Sequence, residues 1–291
     1  MKAIKYLTAA GLAGLGICQC ARADVTHRYT FNTDASDSVG GANGTLVNSA
    51  TVSGGQLQLN NPGFSGPSSA RGYLALPPSI LPSSGSVTIE QWFTFTGSGF
   101  YTEAYTFSDN NHDTTGPGAN NGQYLMHTIS APQGGPGAPG AGGSHIAQTL
   151  AGYAGGETDA FETTPGLGAG GGGYLDNGAT FMAATVIDGS AGTLSYYLNG
   201  LLQQTITAIP LSSYSFTDAY LGRSAFAGDN STSGSVDEFR IYNNVQSAAS
   251  IAADYAAGPN TLLPVPEPGT TSLLLVGGMA MLVSRRRKQN A

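Results

Sequence analysis

In stretch after stretch of this chain, apolar residues recur at every second position and almost never at helical spacing, which limits the fold to strands paired into sheets. Val25, His27, Tyr29 and Phe31 alternate with Thr26, Arg28 and Thr30 and read as a first strand. Gln56 to Leu59 and Tyr73 to Leu76 are short alternating runs bounded by Gly, Asn and Pro. Val87 to Thr96 carries bulky residues on both faces, Val87, Ile89, Phe93 and Phe95 against Trp92. That pattern predicts a central strand covered on both sides. Further strands are expected over Ala104 to Ser108, Gln123 to Ile129 and His145 to Leu150. Phe181 to Ile187 and Thr193 to Leu198 flank a turn at Asp188 to Gly192. Asn199-Gly200 then supplies the two positive-φ residues of a type I′ turn before Leu201 to Thr207. Ala219 to Arg223 and Val236 to Tyr242 close the set. One helix follows, with Ser247 as N-cap, Ile251 and Tyr255 on one face, and Gly258-Pro259 as its stop. Many strands with turns every 8–12 residues or so argue an all-β sandwich or jelly roll.

The two ends read as addresses. Lys2 and Lys5 precede an apolar run, Tyr6 to Ile17, and Ala21-Arg22-Ala23 matches an A-x-A cleavage site. This is the pattern of a secretory signal peptide over residues 1–23, with cleavage specified by Ala21 and Ala23. Lipid attachment at Cys18 or Cys20 is the weaker alternative, because Ile17 and Gln19 are poor residues before an attachment point. Both cysteines fall in the removed piece, so no disulfide, thiolate ligand or Cys nucleophile is expected in the mature chain. At the other end, Pro266, Glu267 and Pro268 precede an apolar run, Thr270 to Ser284, and then Arg285, Arg286, Arg287 and Lys288. The run is short against the roughly 20 residues a spanning helix needs, and the basic cluster holds the C-terminus on the cytoplasmic side. Residues 261–291 resemble a linker and PEP-CTERM tail, which implies processing by an exosortase and export to the cell surface or extracellular matrix. The alternative is an ordinary C-terminal membrane anchor.

Charge becomes legible once the ends are set aside. Residues 24–268 keep four arginines, Arg28, Arg71, Arg223 and Arg240, against eighteen Asp and Glu, a net of −14 with no lysine. Such a surface repels phosphate backbones, so nucleic acid is excluded as a partner, and cations are favoured. Residues 132–173 hold 15 Gly and 4 Pro in 42 positions and read as long loops around short strands.

Five blocks, "RYTFNTDASDSVGGANGTL" (28–46), "GSVTIEQWFTF" (85–95), "DGSAGTLSYYLNG" (188–200), "AYLGRS" (219–224) and "GSVDEFRIYNNVQSAASIAADY" (234–255), resemble successive parts of laminin-G-like, concanavalin A-like jelly-roll domains. The resemblance implies one such domain over residues 24–260. It implies a structural Ca²⁺ between the early acidic loop, Asp34 and Asp37, and the closing strand, Asp237 and Glu238. Calcium needs six to eight oxygens, so these carboxylates would be completed by carbonyls and water. The plainer alternative is that Asp37 caps a turn and Glu238 pairs with Arg240. The resemblance further implies carbohydrate or matrix-polymer binding without catalysis; the alternatives are a structural matrix protein with no specific ligand and a β-glucanase-like glycan hydrolase.

Other candidates are weaker. Glu157-Thr-Asp159-Ala-Phe-Glu162 matches the E-x-D-x-x-E spacing of β-glucanases, in which two glutamates act as nucleophile and acid. Here Thr158 replaces a branched apolar residue, and the segment is expected in Gly-rich loop, so a solvated acidic loop is the better reading. His27, His112, His127 and His145 lack any metal spacing. Trp92 suits core filling. Tyr101, Tyr105, Tyr124, Tyr153 and Tyr174 are the stacking candidates for sugar.

Overall fold

The computed structural model describes residues 25–61, 71–96, 101–109, 122–132, 145–153, 156–161, 178–226 and 229–263. The signal segment with Ala21 and Ala23, the tail with Pro266, Glu267, Pro268 and Arg285 to Arg287, and also His112, Glu162 and Tyr174 lie outside the described residues. Among the described residues no helix is long and apolar enough to cross a membrane.

Residues 23–264 form one unit made of two antiparallel sheets. In chain order the strands are β1 (His27–Tyr29), β2 (Thr45–Val47), β3 (Thr51–Ser53), β4 (Gln56–Leu59), β5 (Tyr73–Leu76), β6 (Val87–Phe95), β7 (Thr102–Ser108), β8 (Tyr124–Pro132), β9 (His145–Tyr153), β10 (Gly156–Phe161), β11 (Thr180–Asp188), β12 (Thr193–Leu198), β13 (Leu201–Thr207), β14 (Asp218–Leu221) and β15 (Gly234–Tyr242), followed by the helix α1 (Ala248–Ala257). Sheet A has the order β13-β12-β11-β6-β15-β4-β3, with β1 also paired to β15; sheet B runs β10-β9-β8-β7-β14-β5-β2. The alternating residues do as their spacing predicts. Leu57, Leu59, Phe93, Phe95 and Phe239 from sheet A meet Leu74, Tyr105, Phe107 and Leu125 from sheet B in one core.

β6 sits between β11 and β15 and is covered on its second face too. There Trp92 joins Met182, Ala184, Val186 and Tyr197 beneath Ile251 of α1. The Asn199-Gly200 turn adopts the expected positive φ, 51° and 78°. Ser247 caps α1 by accepting from the Ser250 amide, and Gly258 ends it.

Two expectations are corrected, and two short strands were not foreseen. Residues 156–161 are not loop: they pair with β9 as the edge strand of sheet B, Asp159 opposite Leu150. β2 and β3, at three residues each too short to show periodicity, pair with β5 and β4. Tyr255 is 43% exposed, and the second buried residue of α1 is Asp254. A carboxylate takes the inward position because a buried arginine waits for it.

Candidate functional site

The four acids expected to hold calcium do not come together around a cation. Asp37 is buried in the loop after β1, where it organises the chain. Its Oδ1 accepts from the amides of Arg28, Val39 and Gly40, and its Oδ2 from the Ala42 amide and from His27 Nδ1 at 2.7 Å. Asp34 is exposed and accepts from the amide and hydroxyl of Ser36. Asp237 lies at a bulge in β15 and takes Gln56 Nε2 at 2.7 Å. Glu238 is fully buried under α1, its oxygens taken by Arg28, Arg240 and the Asn260 amide. With both oxygens taken by protein donors, Asp37 and Glu238 do not fit a calcium ion, whereas Asp237 keeps a buried Oδ2 without a hydrogen-bond partner among the described residues. Among the described residues no group of three or more His, Asp or Glu is arranged to hold one.

What Glu238 does instead is anchor the C-terminal segment. Arg240 presents Nε and Nη2 to its two oxygens, both at 2.8 Å, and approaches Glu90 at 3.7 Å and Asp254 of α1 at 3.4 Å. Nη2 also donates to the Thr261 carbonyl at 2.8 Å, and the guanidinium carbon lies 4.4 Å from the Trp92 ring centroid. Glu90, Glu238, Arg240 and Asp254 are fully buried and Trp92 almost so, and this is architecture rather than a ligand surface.

The other sequence candidates also find places. Glu157 is on β10, opposite Gly152, and Glu162 lies outside the described residues. Asp159 is half-buried, and burial raises its carboxyl. His127 is wholly buried between the sheets beside Phe93 and Tyr105, with Nε2 3.1 Å from the Tyr196 hydroxyl. Burial pushes it down to about 3, so it is neutral. Tyr105 belongs to the core, and Tyr124 packs edge-on beneath Phe226; Tyr101 is 42% exposed.

The outer face of sheet B carries a patch that sequence reasoning missed. Outward positions of adjacent strands bring Tyr73 of β5 and Tyr220 of β14 edge to face, centroids 5.1 Å apart. The Arg223 guanidinium lies 4.6 Å from the Tyr220 centroid and 5.1 Å from that of Tyr73. Asp218 accepts from the Tyr220 hydroxyl at 2.7 Å, an interaction that adds to burial in raising that phenol. All four residues are partly exposed. Cation–π contact holds the arginine in place while leaving the patch amphipathic. Only its outward alternation could have flagged it, since Tyr73 and Tyr220 lie far apart in sequence.

Beside this patch the loop after β14 folds back over sheet B. Ala225 and Phe226 pack on Tyr124 and Met126, and Thr106 donates to the Arg223 carbonyl. Under the loop, Glu103 of β7 is buried, with Ser224 and Thr232 in contact with it, Asn230 bridged to Thr102 and Asp229 close by. The Ser224 hydroxyl donates to Asp229 at 2.6 Å and also lies within reach of Glu103. Burial and then the Asp229 charge push the Glu103 carboxyl well up, and burial lifts Asp229 to about 6.

Two antiparallel sheets enclosing one core define a β-sandwich of the jelly-roll class. The chain belongs to the concanavalin A-like lectin/glucanases superfamily, whose profile matches residues 67–252. Domain 4 of the extracellular GH43 arabinanase AbnA of Geobacillus stearothermophilus, solved with arabinotriose, is similar in fold, with TM-score 0.56 and 18% identity over 80% of this chain and 98% of that one. Botulinum neurotoxin type C, which depends on interaction with two ganglioside molecules to enter cells, is similar at TM-score 0.54 and 13% identity, over 81% of this chain and 51% of that one. The binding domain of botulinum neurotoxin DC, solved with rat synaptotagmin II, gives TM-score 0.53 and 15% identity over 80% and 51%. This chain thus spans about half of the neurotoxin chains. No curated protein sequence matches.

Proposed function

We propose that this is an exported, non-catalytic binding domain that takes carbohydrate or matrix polymer on the outer face of sheet B. The Tyr73–Tyr220–Arg223–Asp218 patch carries the reading. Its tyrosine faces offer apolar area to a pyranose or furanose ring, and Arg223 and Asp218 offer a donor and an acceptor to the hydroxyls. The arabinotriose complex of one structural relative and the ganglioside dependence of another support a glycan as the ligand class. The signal-like front and PEP-CTERM-like tail complete the proposal. An exosortase-type enzyme processes the chain, which meets the membrane only through its tail before processing, and it ends at the cell surface or in the matrix.

The test is retention on a panel of insoluble polysaccharides and a glycan array, with wild type, Tyr220→Ala and Arg223→Ala. Removing an aromatic face or its paired cation is expected to weaken binding by about tenfold or more, equivalent to about 1.4 kcal/mol. No retention of wild type on any polymer would leave a structural matrix protein without a specific ligand. Full-length protein recovered intact from cytosol would overturn the export reading.

A further inference from the structure

We infer that Glu103 and Asp229 hold a hard divalent cation of the calcium class that pins residues 229–232 to the start of β7. The site is separate from the four acids of the early loop and closing strand. Its chemistry is oxygen only: two carboxylates, hydroxyls and backbone carbonyls, the donor set that calcium takes. Glu103 is 1% exposed, and its Oε2 has no hydrogen-bond partner among the described residues.

A second observation points into the same place. Thr128 is the cross-strand partner of Glu103 on β8, so both side chains leave the sheet on one face. Thr128 is 1% exposed and Thr102, next to Glu103, is 2% exposed, and neither Oγ1 has a partner among the described residues. Buried oxygens left unpaired are rare, and an ion is one of the few things that satisfies several at once. The backbone is already shaped around them. Thr102 bridges Asn230, and Thr232 donates from Oγ1 to the Glu103 carbonyl at 2.6 Å.

Charge supports the same conclusion. Two carboxylates share this pocket, and Arg71 stands on the Asp229 side, donating from Nη1 to the Asp229 carbonyl at 2.6 Å. Ser224 has one proton to give and already accepts from the Phe226 amide at 3.0 Å. Without a divalent ion, burial and the Asp229 charge favour a proton on Glu103. A divalent ion displaces that proton and draws oxygens from β7 and the loop together. Because Arg223 opens that loop, the ion would also stiffen the patch above it.

The experiment is thermal unfolding of the purified full chain in EDTA and in calcium chloride, with calcium counted by equilibrium dialysis. Wild type at pH 7.5 is expected to gain about 5 °C or more at calcium a hundredfold above its dissociation constant, and to bind one ion. The gain shrinks at pH 5, where the displaced proton competes. Glu103→Gln and Asp229→Asn keep the shape and relieve the repulsion, so in EDTA they melt no lower than wild type; both lose the calcium gain and the bound ion. Asp37→Asn and Glu238→Gln keep the gain. A wild type indifferent to calcium leaves the protonated carboxyl and overturns the inference. So does a gain that survives both Glu103→Gln and Asp229→Asn, or one lost only in Asp37→Asn. None of these outcomes depends on what the tyrosine patch binds.

Discussion

Replacing Arg240 by alanine is expected to remove about 3–5 kcal/mol of folding free energy, read as a fall in the urea midpoint of the full chain. The reason is what stays behind. Glu238, Glu90 and Asp254 are all fully buried, and Arg240 is the cation common to them. Arg28 still reaches Glu238, from the edge of the cluster. Truncation therefore leaves carboxylates in a dry place with too little positive charge, and a buried pair broken on one side costs far more than the intact pair contributes. It also uncovers the Trp92 ring and frees the Thr261 carbonyl, so the segment after α1 should loosen first. Arg240→Lys keeps the charge but not the two-pronged contact or the flat stacking, and should recover less than half of the loss. A midpoint for Arg240→Ala within about 1 kcal/mol of wild type would show that the cluster reorganises or takes up protons at little cost.

That cluster shows where sequence reasoning reaches and where it stops. The pairing of Glu238 with Arg240 was legible, because residues two apart on a strand share a face. Glu90 and Asp254 were not, since nothing local says that β6 lies beside β15 or that α1 folds back over both. The same boundary runs through the fold. Trp92 opposite Phe93 announced a strand buried on both faces, and Asn199-Gly200 announced its turn, because each is a property of a few adjacent residues. β10 was hidden, because Gly-rich flanks mask alternation and its partner β9 decides the matter. The tyrosine patch was hidden for a stronger reason. Tyr73 and Tyr220 meet only because β5 and β14 pair across about half of the chain. The acids expected to bind metal followed from the family resemblance and the acidic balance, and neither reveals which amides will reach a carboxylate first.

Asp37 is the clearest case of amides arriving first, and Asp37→Ala is expected to cost about 2–4 kcal/mol. Four backbone amides and His27 lose their acceptor at once; each buried donor left unpaired costs about 1–3 kcal/mol, less where the loop can open to water. The loop cannot simply repack, because a Cβ on Gly40 would stand 2.3 Å from the His27 ring, so the backbone is threaded tightly there. Asp37→Asn separates shape from charge. It keeps an oxygen for Arg28, Val39 and Gly40 but turns a donor toward the Ala42 amide, and should cost about half as much. Burial by itself raises the Asp37 carboxyl, but the Arg28, Gly40 and Val39 amides and His27 outweigh it and hold the group below the usual carboxylate range. A folded-state value below the unfolded one means stability that is present above the unfolded carboxylate value, about 3.9, and lost as pH falls through the lowered folded value. Wild-type stability should therefore decline below about pH 4 more steeply than that of Asp37→Asn, which has no proton to take up at this position. Urea midpoints from pH 6 to pH 2.5 measure both slopes. Parallel slopes, or an Asp37→Ala midpoint unchanged at pH 7, would mean that water replaces this carboxylate at no cost and that the early loop holds its shape by packing alone.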